Sequence, residues 1–305
     1  PDFAKSHLAA LLKAKHDIVA VYTQPDRAAK RGKKVIFGPV KQLALDNDIP
    51  VFQPQNFKLK EDIQQLRDLN PDLFIVVAYG LLLPQAVLDI PTKACINSHA
   101  SLLPRWRGAA PIERAIEAGD ASSGVTVMQM ELGLDTGPML HKLETPINSD
   151  ETGGSLHDRL AVIGSQAILE VVEKYQSGPV FGEVQDNKLS CYAQKIHKQE
   201  AFINWKQPAA QLLQKILAFT PHRTCYTLLG DSRIKILKVK VTPLTHNALP
   251  GTVLAVDSAG ITIACQQQAL TLEKVQFAGK NPILVSDLVN GKHPFQENYV
   301  LASEL

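Results

Sequence analysis

Cysteine is scarce in this chain: none of Cys95, Cys191, Cys225 and Cys265 stands at a spacing that would pair it with another as a metal ligand. This argues against a disulfide-stapled scaffold and a cysteine zinc site, and reduced core thiols are expected. Long apolar runs are missing too. None reaches the roughly 18 residues that a spanning helix needs, and no signal-peptide pattern opens the chain, so a soluble, cytoplasmic protein with no membrane partner is expected. Position 1 is not methionine, and the first residues, PDFAKSHLAALLKAKHD, already form an amphipathic helix pattern with Leu8, Leu11 and Leu12 on one side. An α/β domain that starts on a helix is expected to lack the strand before it.

What is present is ordinary in bulk. Apolar residues make up 45% and charged residues 20%, the balance of a globular enzyme, and 305 residues suffice for two domains with separate cores. The net charge of +2 is unevenly spread, with ten lysines and arginines against six acids in residues 201–305. Such an excess argues for solubility first and for a polyanion partner only slightly. Helix and strand signals alternate through residues 1–178, whereas 179–200 lack clear periodicity and read as a linker. A short helix at 209–219 then gives way to short strands with turn signals at 234–241, 252–256, 261–265 and 270–277. The expected fold class is α/β with a mostly parallel sheet, followed by a small antiparallel barrel or sandwich.

Residues 94–111 read ACINSHASLLPRWRGAAP. An apolar strand over 94–96 breaks into Asn97 and His99 with no turn residue to account for them. Tying down a strand end by hydrogen bonds is the plainer explanation of such a pair. Yet SLLP follows, then Arg105 and Arg107 about Trp106, and a helix opens on Pro111. In an open parallel sheet, the loop between a strand end and the next helix is where ligands bind. The run LFIVVAY at 73–79 reads as a central strand covered on both faces, ending in GLLLP on the same rim. Leu81, Leu82 and Leu83 either pack on a flat heteroaromatic ring or cap the core, and both readings stay open. A strand at 124–130 leads into ELGLDTG, where Asp135 lies between Gly133 and Gly137. It is placed to aim a carboxylate inward or to close a turn on its own backbone.

Residues 24–39 carry Arg27, Lys30, Arg31, Lys33 and Lys34 around Gly32, which reads as a solvated loop or as a clamp on a phosphate backbone. Lys235, Lys238 and Lys240 suit either a solvated face or a nucleic-acid groove. An amide, an imidazole and a carboxylate, with no serine or cysteine nucleophile beside them, suit a reaction whose nucleophile comes from the substrate. Transfer of an acyl group to an amine fits. Asn97 and His99 stabilise the charge growing on the carbonyl oxygen, and Asp135 takes the amine's proton directly or through water.

Taken together and in order, QPDR, RGKK, VVAYGLLLP, IN-H-SLLPRWRGAAP, QM-LGLDTG and YAQKI resemble the folate-dependent formyltransferases over nearly the whole chain. RGKK with the basic β region resembles the branch that formylates initiator methionyl-tRNA. The resemblance implies a Rossmann-like catalytic domain over 1–178 and an oligonucleotide-binding-like (OB-like), tRNA-binding domain over 201–305. It implies 10-formyltetrahydrofolate as formyl donor and initiator methionyl-tRNA as partner; no metal is expected, and nothing in the sequence demands more than a monomer. Asn97, His99 and Asp135 are then catalytic. Folate is expected at Ser101, Leu102, Leu103 and Pro104 and across the rim at Tyr79, Gly80, Leu81 and Leu82. The tRNA is expected at Arg27, Arg31, Lys33, Lys34, Arg105 and Arg107. Ala100, Pro138 and Asn204 depart from the family pattern. Two alternatives stand beside this: a folate-dependent formyltransferase acting on a small amine, such as a sugar nucleotide or glycinamide ribotide, and an RNA-binding protein that has lost catalysis.

Overall fold

The computed structural model describes residues 1–26 and 37–304. Arg27, Arg31, Lys33 and Lys34, expected as tRNA contacts, lie outside the described residues. The chain divides into two compact units, one of Pro1–Pro111, Ser122–Pro146 and His157–Ala193, the other of Ile112–Ala121, Ile147–Leu156 and Gln194–Leu305. No helix of the described residues is long and apolar enough to cross a membrane.

In chain order the first stretch runs α1 (Asp2–Lys13), β1 (Val21–Tyr22), α2 (Pro39–Leu45), β2 (Val51–Phe52), α3 (Lys60–Asp68), β3 (Leu73–Val76), α4 (Gln85–Leu88), β4 (Ala94–His99) and β5 (Arg107–Gly108). After α5 (Pro111–Glu117) come β6 (Ser122–Gln129), β7 (Met139–Pro146), α6 (Gly153–Ser177) and β8 (Tyr192–Ala193). β1 pairs with β2 and β3 with β4, both parallel, as covered α/β strands do. From β4 the sheet turns antiparallel, in the order β3-β4-β6-β7. β5 pairs with β8 in parallel, so residues 192–193 are part of the first unit's hydrogen bonding.

β4 is a buried strand of the sheet, and it does not break at Ile96 as its sequence suggests. Ladder bonds to β6 extend it to His99, which pairs with Thr126, so tertiary pairing overrides the polar local pattern. Successive strand side chains face opposite ways. Ala94 and Ile96 join Val127, Leu140 and the α6 residues Ala167, Ile168, Val171 and Val172 in one core cluster. Cys95 faces Phe57, Leu66, Leu83, Val87 and Leu88 in another. Asn97 and His99 therefore share the Cys95 face, and Ser98 shares the α6 face.

Ser98 meets His7 there, and both are buried. His7 Nδ1 lies 2.8 Å from the Phe3 carbonyl, which only accepts, so Nδ1 carries the proton and Nε2 accepts from the Ser98 hydroxyl at 2.9 Å. Gly164 of α6 leaves the space. A Cβ on it would stand 2.7 Å from His7 Nε2 and 3.1 Å from Ser98 Oγ.

In the second unit, α7 (Ala209–Phe219) buries Ala209, Leu212, Ile216 and Phe219 at helical spacing. It packs on β10 (Ser232–Thr242) and β13 (Ala269–Phe277). With β9 (Tyr226–Leu229), β11 (Val253–Asp257), β12 (Gly260–Ala264) and β14 (Ile283–Leu284), these form an antiparallel sheet in the order β11-β12-β13-β10-β9, with β14 on β13. Register shifts between Ile236 and Val239 add twist, and the result is a curled half-barrel. Trp205 is wholly buried, and its indole N–H reaches Thr227 Oγ1 at 3.2 Å. Arg114 of α5 holds Glu117 at 2.6 Å and Glu200 at 2.7 Å. Lys238 and Lys240 both reach Glu273 at 3.0 Å, and those two cations hold its carboxyl below the usual carboxylate range.

Burial pushes the His7 imidazole down from 6.5 to about 4. The depressed value belongs to the folded state, so this contribution is complete above pH 6.5 and is lost as pH falls from 6.5 to 4, by roughly 3 kcal/mol. Urea unfolding across that range is expected to show the loss in the wild type and a shallower fall in His7→Gln. Equal falls would take His7 out of the account.

Candidate active site

The end of β4 and the loop after it are tied to the sheet by one buried hydroxyl. Thr126 Oγ1 donates to the Ser101 carbonyl at 2.7 Å and accepts from the Leu103 N–H at 3.0 Å. Ser101 Oγ in turn donates to the Arg105 carbonyl at 2.7 Å. Leu103 packs with Met128 and Met139. Of the four residues expected to meet folate here, Ser101 and Leu103 thus turn their side chains into the protein, and Leu102 and Pro104 stay half-buried. Across the rim, the Tyr79 ring packs toward Phe57 with centroids 6.3 Å apart. Its hydroxyl is buried with no partner among the described residues, and burial raises its pKa. The Tyr79 carbonyl accepts from Gln24 Nε2 at 2.8 Å. Gly80 takes φ +76° in that turn. The leucines divide: Leu83 is in the core, Leu81 is half-buried and Leu82 is 83% exposed.

His99 is held from one side. Its Nε2 lies 2.8 Å from the Trp106 carbonyl, an acceptor only, so Nε2 carries a proton. Nδ1 then faces Asp135, whose Oδ2 is 3.7 Å away. The same Oδ2 accepts from the Gly108 N–H at 2.7 Å. Asn97 lies two residues before His99 on the same face of β4 and is half-buried. Asp135 does not come to His99 by the expected route. β6 runs antiparallel to β4 and its Gln129 pairs with Ile96, so its carboxyl end points away from the His99 rim. The 130–138 loop carries Asp135 back. Asp135 itself adopts φ +55°, and Gly137 supplies room, not left-handed backbone: a Cβ there would stand 1.9 Å from the Gln129 carbonyl oxygen.

Arg107 is a correction. Expected on tRNA, it is 2% exposed, with Nε donating to Gln185 Oε1 and Nη2 to Asn187 Oδ1, each at 2.9 Å. A guanidinium enclosed in this way offers no surface charge to a polyanion. Arg105 is exposed and stacks over the Trp106 ring at 4.4 Å. Gln185 was not legible in advance. It sits in the aperiodic 179–200 stretch, where the sequence carries no signal for it.

Chemically, the imidazole and carboxylate can exchange a proton with a group placed beside Nδ1, and the Asn97 amide offers donors along the same face. The nearby thiol is inert: burial pushes Cys95 up to about 12. A strand-end histidine and carboxylate on an α/β unit with no activated side-chain nucleophile among the described residues define a class, an enzyme that transfers a group to an incoming nucleophile. The family profile "Formyl transferase" matches residues 1–172, and "Formyl transferase, C-terminal domain" matches residues 195–293. The chain belongs to the formyl transferase family. It is 54% identical over 292 residues, covering 96% of this chain and 91% of the relative, to the methionyl-tRNA formyltransferase of Pseudomonas fluorescens Pf-5. Among solved structures it is similar to WlaRD, a sugar 3N-formyl transferase determined with dTDP and 5-N-formyl-THF. There the TM-score is 0.65 at 19% identity, over 92% of this chain and 95% of that one. It is also similar to HypX from Aquifex aeolicus in complex with tetrahydrofolic acid, with a TM-score of 0.58 at 17% identity. That match covers 80% of this chain but only 43% of HypX. Likeness at such identities shows the fold alone.

Thr126→Val removes the hydroxyl with little change of shape and leaves the Leu103 N–H buried and unpartnered. A loss of about 1–3 kcal/mol in urea unfolding is expected. No measurable loss would mean that the loop is held otherwise.

Proposed function

We propose that the chain transfers a formyl group from 10-formyltetrahydrofolate to the amino group of initiator methionyl-tRNA, as a cytoplasmic monomer serving translation initiation. The observation that carries this reading is the His99–Asp135 pair, 3.7 Å apart with no activated nucleophile beside it, in a chain 54% identical along its length to a methionyl-tRNA formyltransferase. In this reading residues 1–178 are catalytic and 201–305 bind tRNA, a division that the profile matches at 1–172 and 195–293 support.

The donor supplies a formyl carbon already activated on nitrogen. The protein's share is placement and proton traffic. The Asn97 amide donates to the formyl oxygen as negative charge grows there. Because His99 Nε2 is committed to the Trp106 carbonyl, any bond from His99 to that oxygen comes from Nδ1–H of the imidazolium, with Asp135 as its counter-ion. Asp135 takes the proton lost by the amine, directly or through water. Leu82, exposed on the turn after β3, suits a flat, partly apolar ligand, and Leu132 and Leu134, 66% and 50% exposed, lie on the loop that bears Asp135. The backbone of Tyr79 and Gly80, Leu81, Leu82 and the Ser101, Leu102, Leu103, Pro104 turn frame that site. For tRNA the reading keeps Arg27, Arg31, Lys33, Lys34 and Arg105 and gives up Arg107. A small-amine acceptor has the support of fold likeness only.

Formylation of charged initiator tRNA, followed on acid gels with sugar nucleotides and glycinamide ribotide as competing acceptors, is expected to show the tRNA alone modified. His99→Ala is expected to lower the rate about 100- to 1,000-fold. An undiminished His99→Ala rate, or preference for a small amine, would sink the reading. Replacing Arg31, Lys33 and Lys34 by Ala is expected to weaken tRNA use and flatten its dependence on salt by up to about three units of log–log slope, with folate binding unchanged. An unchanged slope would return these cations to a solvated loop.

A further inference from the structure

Asp135 is gripped from two directions by groups that leave from consecutive residues of β5. The Gly108 N–H holds its carboxylate at 2.7 Å. Arg107 reaches its main chain through Gln185. Gln185 is 5% exposed and Arg107 2%, so the connection is sealed from water. The guanidinium has donors only, and its Nε bond at 2.9 Å therefore identifies the nearer amide atom as Oε1. The other end is the NH2 group. It donates to the carbonyls of Asp135 and Gly137, each at 2.8 Å. All three neighbours agree with this orientation of the amide and none with its reverse.

These two bonds straddle Thr136, so one side chain fixes the loop on both sides of its turn. Asp135 has φ +55°, a left-handed conformation that aspartate tolerates better than most residues but still holds at some cost. Contacts from outside the loop help to hold it there. The Arg107 charge, with Asn187 Oδ1 as its other acceptor at 2.9 Å, polarises the Gln185 amide and strengthens both of its donor bonds. Displacing Asp135 by about an ångström would spoil its alignment with His99, and displacements of that size are enough to slow catalysis by roughly 100-fold.

We propose that Gln185, oriented by Arg107, is a positioning residue for formyl transfer, holding the Asp135 main chain so that the carboxylate stays at His99. The proposal rests on the reading of Asp135 as the group that takes the amine's proton. Gln185→Glu provides the test, because it keeps the length and the acceptor for Arg107 while removing both N–H donors. Expected is a kcat lower by about 10- to 100-fold, with the KM for the formyl donor within about two-fold of wild type. Combined with Asp135→Asn, Gln185→Glu is expected to cost less than about two-fold more, since the residue it positions has already lost its function. A brace for the fold alone would slow both backgrounds equally. Arg107→Lys, which keeps the charge but loses the Nε bond, is expected to give the same split and serves if Gln185→Glu does not fold. Wild-type kcat in these variants, or equal losses in both backgrounds, overturns the proposal. Should Asp135→Asn prove slow and Gln185→Glu fast, only this inference falls. Should Asp135→Asn run at full rate, the functional reading falls with it.

Discussion

The hydrogen bond from His99 Nε2 to the Trp106 carbonyl decides how the rest of the site can work. A carbonyl accepts and never donates, so the bond commits one imidazole nitrogen and leaves the other turned toward Asp135. Trp106 is itself held in the left-handed region at φ +64°, with its N–H on Cys191 Sγ at 3.3 Å. Its carbonyl direction is thereby set by the pairing of β5 with β8, which begins at the very next residue. Which nitrogen faces Asp135 is thus a consequence of backbone geometry more than of the histidine's own surroundings.

β4 provides the platform. Its alternation sends Ala94 and Ile96 into the core against α6 and turns Asn97 and His99 to the other face. Between them, Ser98 is locked to His7 through a buried bond that α6 accommodates only because residue 164 has no Cβ. An apolar residue at position 98 would satisfy burial equally well. The polar pair adds direction: a shift of α1 along the sheet would leave a donor or acceptor unpaired in a dry interior. The side chains of Asn97 and His99, carried on such a strand, inherit its rigidity.

The loops complete what the strand begins. The 130–138 loop returns Asp135 from the far end of β6, and the two residues of β5 hold it by its carboxylate and, through Gln185, by its main chain. Residues 183–193 are accordingly integral to the first unit, with Glu183 bridged to Met139 and Ala193 paired with Gly108. In the second unit the curled sheet displays Lys238 and Lys240, but both are shared with Glu273. Residue type alone therefore overstates the positive charge on that face.

Much of the architecture was legible in one dimension. Helix patterns marked α1 and α7, and apolar runs marked β3 and β6, because period and polarity are local properties of a chain. Asn97, His99 and Asp135 stood out because polar residues interrupting apolar strands and glycine-rich turns are unusual in kind. Other features depended on partners tens of residues away: the antiparallel turn of the sheet at β6, the extension of β4 to His99, and the burial of Arg107 on Gln185 and Asn187; the choice of imidazole nitrogen depended on the direction of a carbonyl seven residues on. By itself the sequence determined which polar residues interrupt the apolar pattern and which faces are apolar. Only the tertiary structure decided which cation is spent inside the protein and which nitrogen faces the carboxylate, because a hydrogen bond is specified by the direction of both partners and one-dimensional order states neither.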